Sequence, residues 1–308
     1  MLHRTIGDGM EAISEFETFE EVIKNTYGGS VSVAEKRRVS GGDINEAYLL
    51  TLSDGNTVFL KENSKENKDF FSAETEGLSA IAKTHTIGVP QVHAFGTRGK
   101  KSFLLMEYLE SGKWDKHFWE NFGHSLAEMH GADTSGLISA DGKYGFYRDN
   151  YIGAGYQKNT PKDSWIEFFR DCRIMPQLER ARKKLSAEDL RKAEKLLDRL
   201  GDYLYEPGKP SLLHGDLWGG NYVVGPDGNA WLIDPAVYVG CAEADIAMTE
   251  LFGGFSYAFY GAYKESGLLR PGYEERRDLY NLYHMLNHLN LFGGSYLYSV
   301  ENILSEYV

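Results

Sequence analysis

Between Leu212 and Pro235 the chain sets three polar residues at fixed intervals between short apolar runs. Leu212-Leu213 leads into His214-Gly215-Asp216, Asn221 follows Asp216 by five positions, and Asp234 closes Trp231-Leu232-Ile233 thirteen positions after Asn221. Gly225-Pro226-Asp227-Gly228 has the chemistry of a hairpin turn between Tyr222–Val224 and Ala230–Ile233. That hairpin sets Asn221 and Asp234 at the same end of two paired strands, where one cation can meet both. A carboxamide oxygen and a carboxylate are hard oxygen ligands, which suits magnesium. Asp216, on the turn before them, is placed to accept or orient the proton of an attacking hydroxyl. Phosphoryl transfer from a nucleotide–magnesium complex asks for these three groups together. A β-hairpin with polar turn residues explains any one of them, but not the three spacings at once. Residue chemistry alone stops at a kinase-like phosphotransferase acting on a small molecule or a protein.

A chain of 308 residues is long enough for two lobes. We expect an N-terminal, nucleotide-binding lobe over 1–108 and a C-terminal lobe over 109–308 that carries the catalytic loop, the metal and the acceptor site. The formal charge of −12 argues against a general nucleic-acid-binding surface. An acidic chain can still bind ATP, because backbone amides, one Lys and magnesium offset the phosphate charge locally. Cys172 and Cys241 lie far apart without metal-like spacing and make no disulfide framework, which fits a reducing compartment. Residues 1–10 lack the apolar core of a signal peptide, and no run approaches the roughly 18 apolar residues of a spanning helix. The expectation is a cytoplasmic protein without membrane or nucleic-acid partners, of undetermined oligomeric state.

In chain order, Phe16, Phe19, Val22 and Ile23 fall at helical spacing and predict an amphipathic helix over Ser14–Tyr27, ending at Gly28-Gly29. Strands are expected over Val31–Val39, Glu46–Leu52 and Thr57–Glu62, from Val89 onward, and over Lys101–Tyr108, giving a five-stranded antiparallel sheet. Gly41-Gly42 sits in the first turn, where two glycines let the backbone approach a phosphate. Lys61 follows an apolar strand and can hold an ammonium near the α/β-phosphates, although an edge-strand Lys facing water is the commoner case. Asn67–Lys83 reads as a helix, with Glu74 and Glu76 as candidate partners of Lys61.

Helices are then expected over Trp114–His130, Trp165–Leu185, Ala187–Tyr203, Glu243–Phe252, Phe255–Ser266 and Tyr273–Ser299. The Gly- and Tyr-rich segment 133–161 has weak periodicity and reads as a functional or loosely packed loop. The basic residues Arg180, Arg182, Lys183 and Lys184 read as a solvated helix face complementing the helix C-terminus. Asp245 is either a brace for the catalytic loop or an ordinary acid in the first turn of a helix. His284 and His288 are four apart on a helix, but no Glu and no third ligand completes a zinc motif.

Three stretches together, His214-Gly215-Asp216-Leu217-Trp218-Gly219-Gly220-Asn221, Ile233-Asp234-Pro235-Ala236 and Leu251-Phe252-Gly253-Gly254-Phe255, resemble the fructosamine kinase (ketosamine-3-kinase) family. The resemblance runs from about Val31 to about Tyr298. It implies an α+β, bilobal, protein-kinase-like fold of the aminoglycoside-phosphotransferase-like branch, with a small N-lobe sheet and a larger, mostly helical C-lobe. It implies ATP and magnesium as donor and cofactor. It also names the acceptor: the 3-hydroxyl of a ketoamine such as fructosamine, ribulosamine or erythrulosamine, free or on a protein lysine.

The resemblance further selects Glu74, through Phe71-x-x-Glu74, as the partner of Lys61, and supports Gly41-Gly42 as a phosphate turn. Some family members carry a Cys in that turn; Asp43 stands here, so no redox switch is expected through it. The linker Glu107-Tyr108-Leu109-Glu110-Ser111-Gly112 would offer backbone groups of Glu107 and Leu109 to the adenine edge, as in kinase-like folds. Tyr144-Gly145-Phe146 and Asn150-Tyr151-Ile152-Gly153 resemble the stretch near the acceptor site. Trp218 becomes a candidate wall for the sugar and His288 a candidate acceptor-pocket residue; a core Trp and a core His are the plain alternatives. His214 is expected to hold the loop backbone rather than to move protons. The competing readings are an aminoglycoside or choline/homoserine-type kinase on the same scaffold, or a nucleotide-binding pseudokinase.

Overall fold

A computed structural model describes residues 14–39, 44–138 and 142–308. The turn Gly41-Gly42-Asp43 lies outside the described residues. Contacts divide the chain into two compact units, Met1–Thr75 with Gln91–Tyr108, and Glu76–Pro90 with Leu109–Val308.

The first unit is built from β1 (Ser14–Phe16), α1 (Phe19–Tyr27), β2 (Val33–Val39), β3 (Glu46–Leu52), β4 (Thr57–Ser64), the first half of α2 (Lys68–Ala82), β5 (Val92–Arg98) and β6 (Lys101–Glu107). The strands form one sheet in the order β1-β5-β6-β4-β3-β2. Its five longer strands are antiparallel, as the sequence predicts, but the expected five-stranded sheet has a sixth, parallel member at its edge, β1 on β5. This also corrects the helix expected over Ser14–Tyr27. Thr18 caps α1 reciprocally with Glu21, so the helix cannot begin before Phe19, and the residues ahead of it are extended. Ser14 pairs with Gly96 in β5, and a Cβ on Gly96 would fall inside contact distance of the Ser14 carbonyl oxygen. Glycine is therefore what lets β1 approach.

Period-two alternation divides the sheet's residues between two faces. Leu50, Leu52, Val58, Leu60, Phe103 and Leu105 join Val22 and Ile23 of α1, with Phe16 packed against them. Leu104 and Met106 join Phe71 of α2 on the other face. Glu62 is almost wholly buried, and its charge is matched by Lys36 at 2.8 Å and by Arg98.

The second unit begins with α3 (Phe118–Gly131) and the hairpin β7 (Asn150–Ile152) and β8 (Gly155–Gln157). It continues through α4 (Trp165–Phe168), a π-helical turn (Phe169–Ile174), α5 (Met175–Ala181), α6 (Ala187–Asp198) and α7 (Leu200–Tyr203). Four short strands follow, β9 (Ser211–Leu213), β10 (Tyr222–Val224), β11 (Ala230–Leu232) and β12 (Tyr238–Gly240), then α8 (Glu243–Leu251), α9 (Tyr257–Lys264), α10 (Tyr273–Phe292) and α11 (Leu297–Glu306). Two helices expected to be continuous are broken, Ala187–Tyr203 at Arg199 and Tyr273–Ser299 at Gly293, whose φ of 93° no helix accommodates, while Trp165–Leu185 winds without interruption to Ala181 through a π-helical stretch at Phe169–Ile174. The segment 133–161 is not a loose loop where it is described, because the β7–β8 hairpin organises it. The basic cluster is only partly solvated: Arg180 donates to the Tyr156 carbonyl at 2.8 Å, and Lys184 donates to Leu289 and Asn290 carbonyls in the last turn of α10.

One consequence is testable by equilibrium urea unfolding. Gly96→Val should cost about 1–3 kcal/mol, because β1 must move off the sheet. Gly201→Ala has open space around its Cβ and lies in α7, and should be neutral or slightly stabilising. Equal midpoints for the two variants would show that β1 does not pack on Gly96.

Candidate active site

Two antiparallel ladders bracket the motif. β9 pairs with β12 and β10 pairs with β11, so the connections 214–221 and 233–237 run between the same two ladders. Backbone bonds tie them: Ala236 N–H donates to the His214 carbonyl at 2.8 Å, and Ile233 N–H to the Asn221 carbonyl at 3.0 Å. The 225–228 turn forms where its residues predict it, with Gly228 N–H donating to the Gly225 carbonyl.

Inside this frame Asn221 donates its side-chain NH2 to Asp216, at 2.8 Å to the carbonyl and 3.1 Å to Oδ2. The Asp216 carboxyl is pushed up to about 7, first by burial and then by the negative charges of Asp234 and Asp245, against a lowering by the Asn221 bond. His214 is fully buried and bridges the two connections. Its Nδ1 accepts from the Asp216 amide at 3.3 Å, so Nε2 carries the proton and donates to the Ile233 carbonyl at 2.9 Å. Burial pushes its pKa down, and a neutral imidazole is what this pairing needs.

Asp245, in the first turn of α8, is buried and accepts from the backbone amides of His214 at 2.6 Å and Gly215 at 2.8 Å. Of the two readings left open by the sequence, this is the brace. The oxygen that accepts from His214, Oδ2, also meets His130 Nε2 at 3.2 Å, and His130 Nδ1 lies 2.6 Å from the Tyr263 hydroxyl. Burial alone would raise the Asp245 pKa; the His130 bond and charge and the Gly215 amide outweigh it and hold the carboxyl below its ordinary range.

Asp234 is exposed and has φ of 53°, a left-handed conformation immediately before Pro235. Asp is among the few side chains that tolerate this region, and such outliers persist where surrounding structure over-determines them. Here a second layer of buried amides does so. Gln157 donates to the Ala236 carbonyl at 2.9 Å, and Asn150 donates to the Val237 carbonyl at 2.7 Å. Asn159 bonds Asn150, and the buried Arg173 bonds Asn159 at 2.8 Å while its guanidinium sits 3.8 Å from the Tyr238 ring centre. Sequence reading missed Gln157, Asn159 and Arg173. The only local signal was the density of Asn and Gln in the 150–159 stretch.

In the first unit, Lys61 and Glu74 form a 2.6 Å ion pair, each about one-eighth exposed. Glu76, the other candidate, pairs with Arg148 at 2.9 Å rather than being a solvated charge. Glu107 ends β6 and exchanges backbone and side-chain bonds with Gln91, its own amide donating to the Gln91 carbonyl. Leu109 follows and is partly buried.

Trp218 and His288 are seventy positions apart, and Phe252 joins them. The Trp218 ring lies 6.3 Å from Phe252, edge-on, and Phe252 lies 5.1 Å from His288. Two glycine turns permit this. Gly219 packs against Gly253 and Gly254, and the Trp218 indole occupies the space where a Cβ of Gly220 would stand. Trp218 is 41% exposed, so it is not a core residue. His288 is partly buried and donates Nδ1–H to the His284 carbonyl at 2.8 Å. Among the described residues no cluster of three His, Cys, Asp or Glu could hold a metal by itself, and no helix is long and apolar enough to cross a membrane. A cavity of about 550 Å³ lined by His85, Gly88, His124, Asp227 and Trp231 includes none of these site residues.

The chain is similar to known proteins along most of its length. The family description "fructosamine kinase" matches residues 15–308. A protein of Synechocystis, assigned by name as a ketoamine kinase, is 40% identical, the match covering 94% of this chain and 96% of that one. A protein-ribulosamine 3-kinase of Oryza sativa is 38% identical over 92% of this chain and 81% of its own. A crystal structure from Haemophilus somnus, assigned as a fructosamine-3-kinase, superposes with a TM-score of 0.82 at 31% identity, covering 94% and 96% of the two chains. A macrolide 2'-phosphotransferase, 16% identical with a TM-score of 0.60, shares the fold.

The buried Asp245 and the partly buried Asp216 predict opposite stability effects. The Asp245 charge is favoured by the fold, so Asp245→Asn should lower stability at pH 8 and at pH 5, by about 1–3 kcal/mol for the lost charged acceptor. The Asp216 pKa is raised, so the folded state binds a proton that the unfolded state has released between about pH 4 and 7. Ionised Asp216 therefore destabilises the fold, fully above pH 7 and less toward pH 5. Asp216→Asn should raise the urea midpoint at pH 8, with the gain shrinking at pH 5. A loss of stability at pH 8 would contradict the raised pKa.

Proposed function

The chain belongs to the fructosamine kinase family, and from that premise we propose that it transfers the terminal phosphoryl group of ATP to the 3-hydroxyl of a ketoamine, free or carried on a protein lysine. The observation that carries the reading is the meeting of Asp216, Asn221 and Asp234 between two ladders, beside the exposed Trp218. Asp216 would accept or orient the proton of the acceptor hydroxyl; a carboxyl near 7 is well matched to that task at neutral pH. His214 and Asp245 hold the loop backbone that aims it.

Asn221 and Asp234 suit magnesium as a donor set. The NH2 of Asn221 is engaged by Asp216, which leaves Oδ1 as the oxygen for the ion, and Asp234 adds a formal charge. Bound magnesium would offset the charge on the nucleotide phosphates. Lys61, oriented by Glu74, and the turn Gly41-Gly42 would hold the phosphates, and the backbone at Glu107 and Leu109 would meet the adenine edge. Since the Glu107 amide already donates to Gln91, its carbonyl is the group we assign to adenine, with the Leu109 amide as donor. Trp218 and His288 would wall the sugar. An aminoglycoside kinase would need carboxylates where this chain exposes rings, a choline-type acceptor is disfavoured by the family to which the chain belongs, and a pseudokinase would not be expected to keep suitable residues at all three positions.

Asp216→Asn keeps the side-chain shape and removes the proton acceptor. Turnover on a ketoamine should fall at least ~10²-fold, the lower end of what a positioned base contributes, while an ATP–magnesium thermal shift persists. Saturating acceptor should not rescue it. Mass spectrometry of a glycated peptide treated with the unsubstituted protein should show phosphate added and then the whole sugar lost. A stable phosphopeptide, or phosphate on kanamycin or choline alone, would remove the ketoamine assignment and leave a kinase.

Asp234→Asn removes a formal charge from a divalent site. Its turnover should collapse at limiting magnesium, far beyond the effect of Arg182→Ala on the exposed face of the basic cluster. Near-normal turnover of Asp234→Asn under those conditions would overturn the metal assignment.

A further inference from the structure

The rings beside the site continue past the two that would wall a sugar. From Trp218 and Phe252 the row passes to His288, and from there to Phe292 at 5.5 Å and Tyr296 at 5.0 Å. The rings come from four places: the loop after Asp216, the end of α8, the last turns of α10, and the turn after it. Phe252 is 45% and Phe292 52% exposed. Neither is needed to fill the core at that exposure, and contiguous exposed rings on a soluble fold mark contact surfaces. Among the described residues no Lys or Arg lies over Trp218, Phe252 or Phe292, although such pairs occur elsewhere in the molecule. His288 is uncharged at neutral pH, because burial lowers its pKa.

We infer that this row is a subsite for the amine substituent of the ketoamine, and that it favours aromatic and apolar substituents over charged ones. The inference rests on the ketoamine reading and extends it. A ketoamine with its 3-hydroxyl at Asp216 has its nitrogen on C1, two carbons away. A monosaccharide held between Trp218 and His288 leaves Phe292 and Tyr296 uncovered, so these rings face whatever the nitrogen carries. An aryl or alkyl group there gains stacking and buries exposed ring surface. A polycation finds no carboxylate among these residues. A glycated lysine flanked by aromatic residues on an unstructured peptide has the matching chemistry.

The test uses two synthetic fructosamines with the same sugar, one formed from methylamine and one from phenethylamine. The phenethyl compound should have the higher kcat/KM, by about three- to tenfold, the range one aromatic contact supplies, with the difference in KM rather than kcat. Phe292→Ser should bring the ratio of the two kcat/KM values toward one. Tyr257→Ser, which removes an almost fully exposed ring outside the row, should leave the ratio as it is. The ratio is taken within one protein sample, so a partly unfolded variant does not alter it. If both compounds are phosphorylated with equal kcat/KM, or if Phe292→Ser leaves the preference intact, the subsite is refuted and the ketoamine reading stands. If neither compound is phosphorylated, the ketoamine reading itself falls.

Discussion

A single buried carboxylate carries the backbone of the loop that leaves β9. Asp245 accepts the amides of His214 and Gly215, and no strand or helix would otherwise satisfy those donors at the end of β9. Buried amides left unpaired would cost about 1–3 kcal/mol each, so the charge on α8 and the course of the loop are one commitment. His130 and Tyr263 extend the chain of bonds into α3 and α9, which tie the loop to the packed helices behind it. His214 adds the lateral tie to Ile233, and through it the loop carrying Asp216 and the strand before Asp234 share one frame.

Within that frame the environment separates two acids of the same type. Asp245 is surrounded by donors and stays ionised; Asp216 is raised first by desolvation and then by the charges of two other carboxylates, against the bond from Asn221. The first arrangement stabilises the fold and the second works against it, which is the pattern expected where a group is kept for chemistry. The left-handed Asp234 has the same character. It is sustained by the amides of Gln157 and Asn150 on the carbonyls two and three residues later, and these are sustained in turn by Asn159 and Arg173. The 150–159 stretch is thus a buttress for the connection that carries Asp234.

The family-specific pieces of the sequence explain one another in space. Trp-Gly-Gly after Asp216-Leu217 and Phe-Gly-Gly at the end of α8 lie glycine against glycine, and two large rings meet beside them at the surface. A Cβ on Gly220 would fall 2.4 Å from the Trp218 ring, so a side chain there would displace the indole.

What the sequence determined by itself was local. The 225–228 turn, the Asp216–Asn221–Asp234 spacing, the five antiparallel strands and the helix carrying Glu74 all follow from turn chemistry and periodicity within a few residues. The pairing of Trp218 with His288 was legible only as two separate resemblances. Tertiary structure alone decided the rest. β1 exists because Gly96, eighty residues on, admits a strand that its own three residues could not hold. Asp245 became a brace because β9 and α8 converge, and Arg173 became a buttress because its buried guanidinium meets Asn159 and the ring of Tyr238. Each of these depends on a partner remote in the chain, and period and spacing record which face a residue shows, not what will be packed against it.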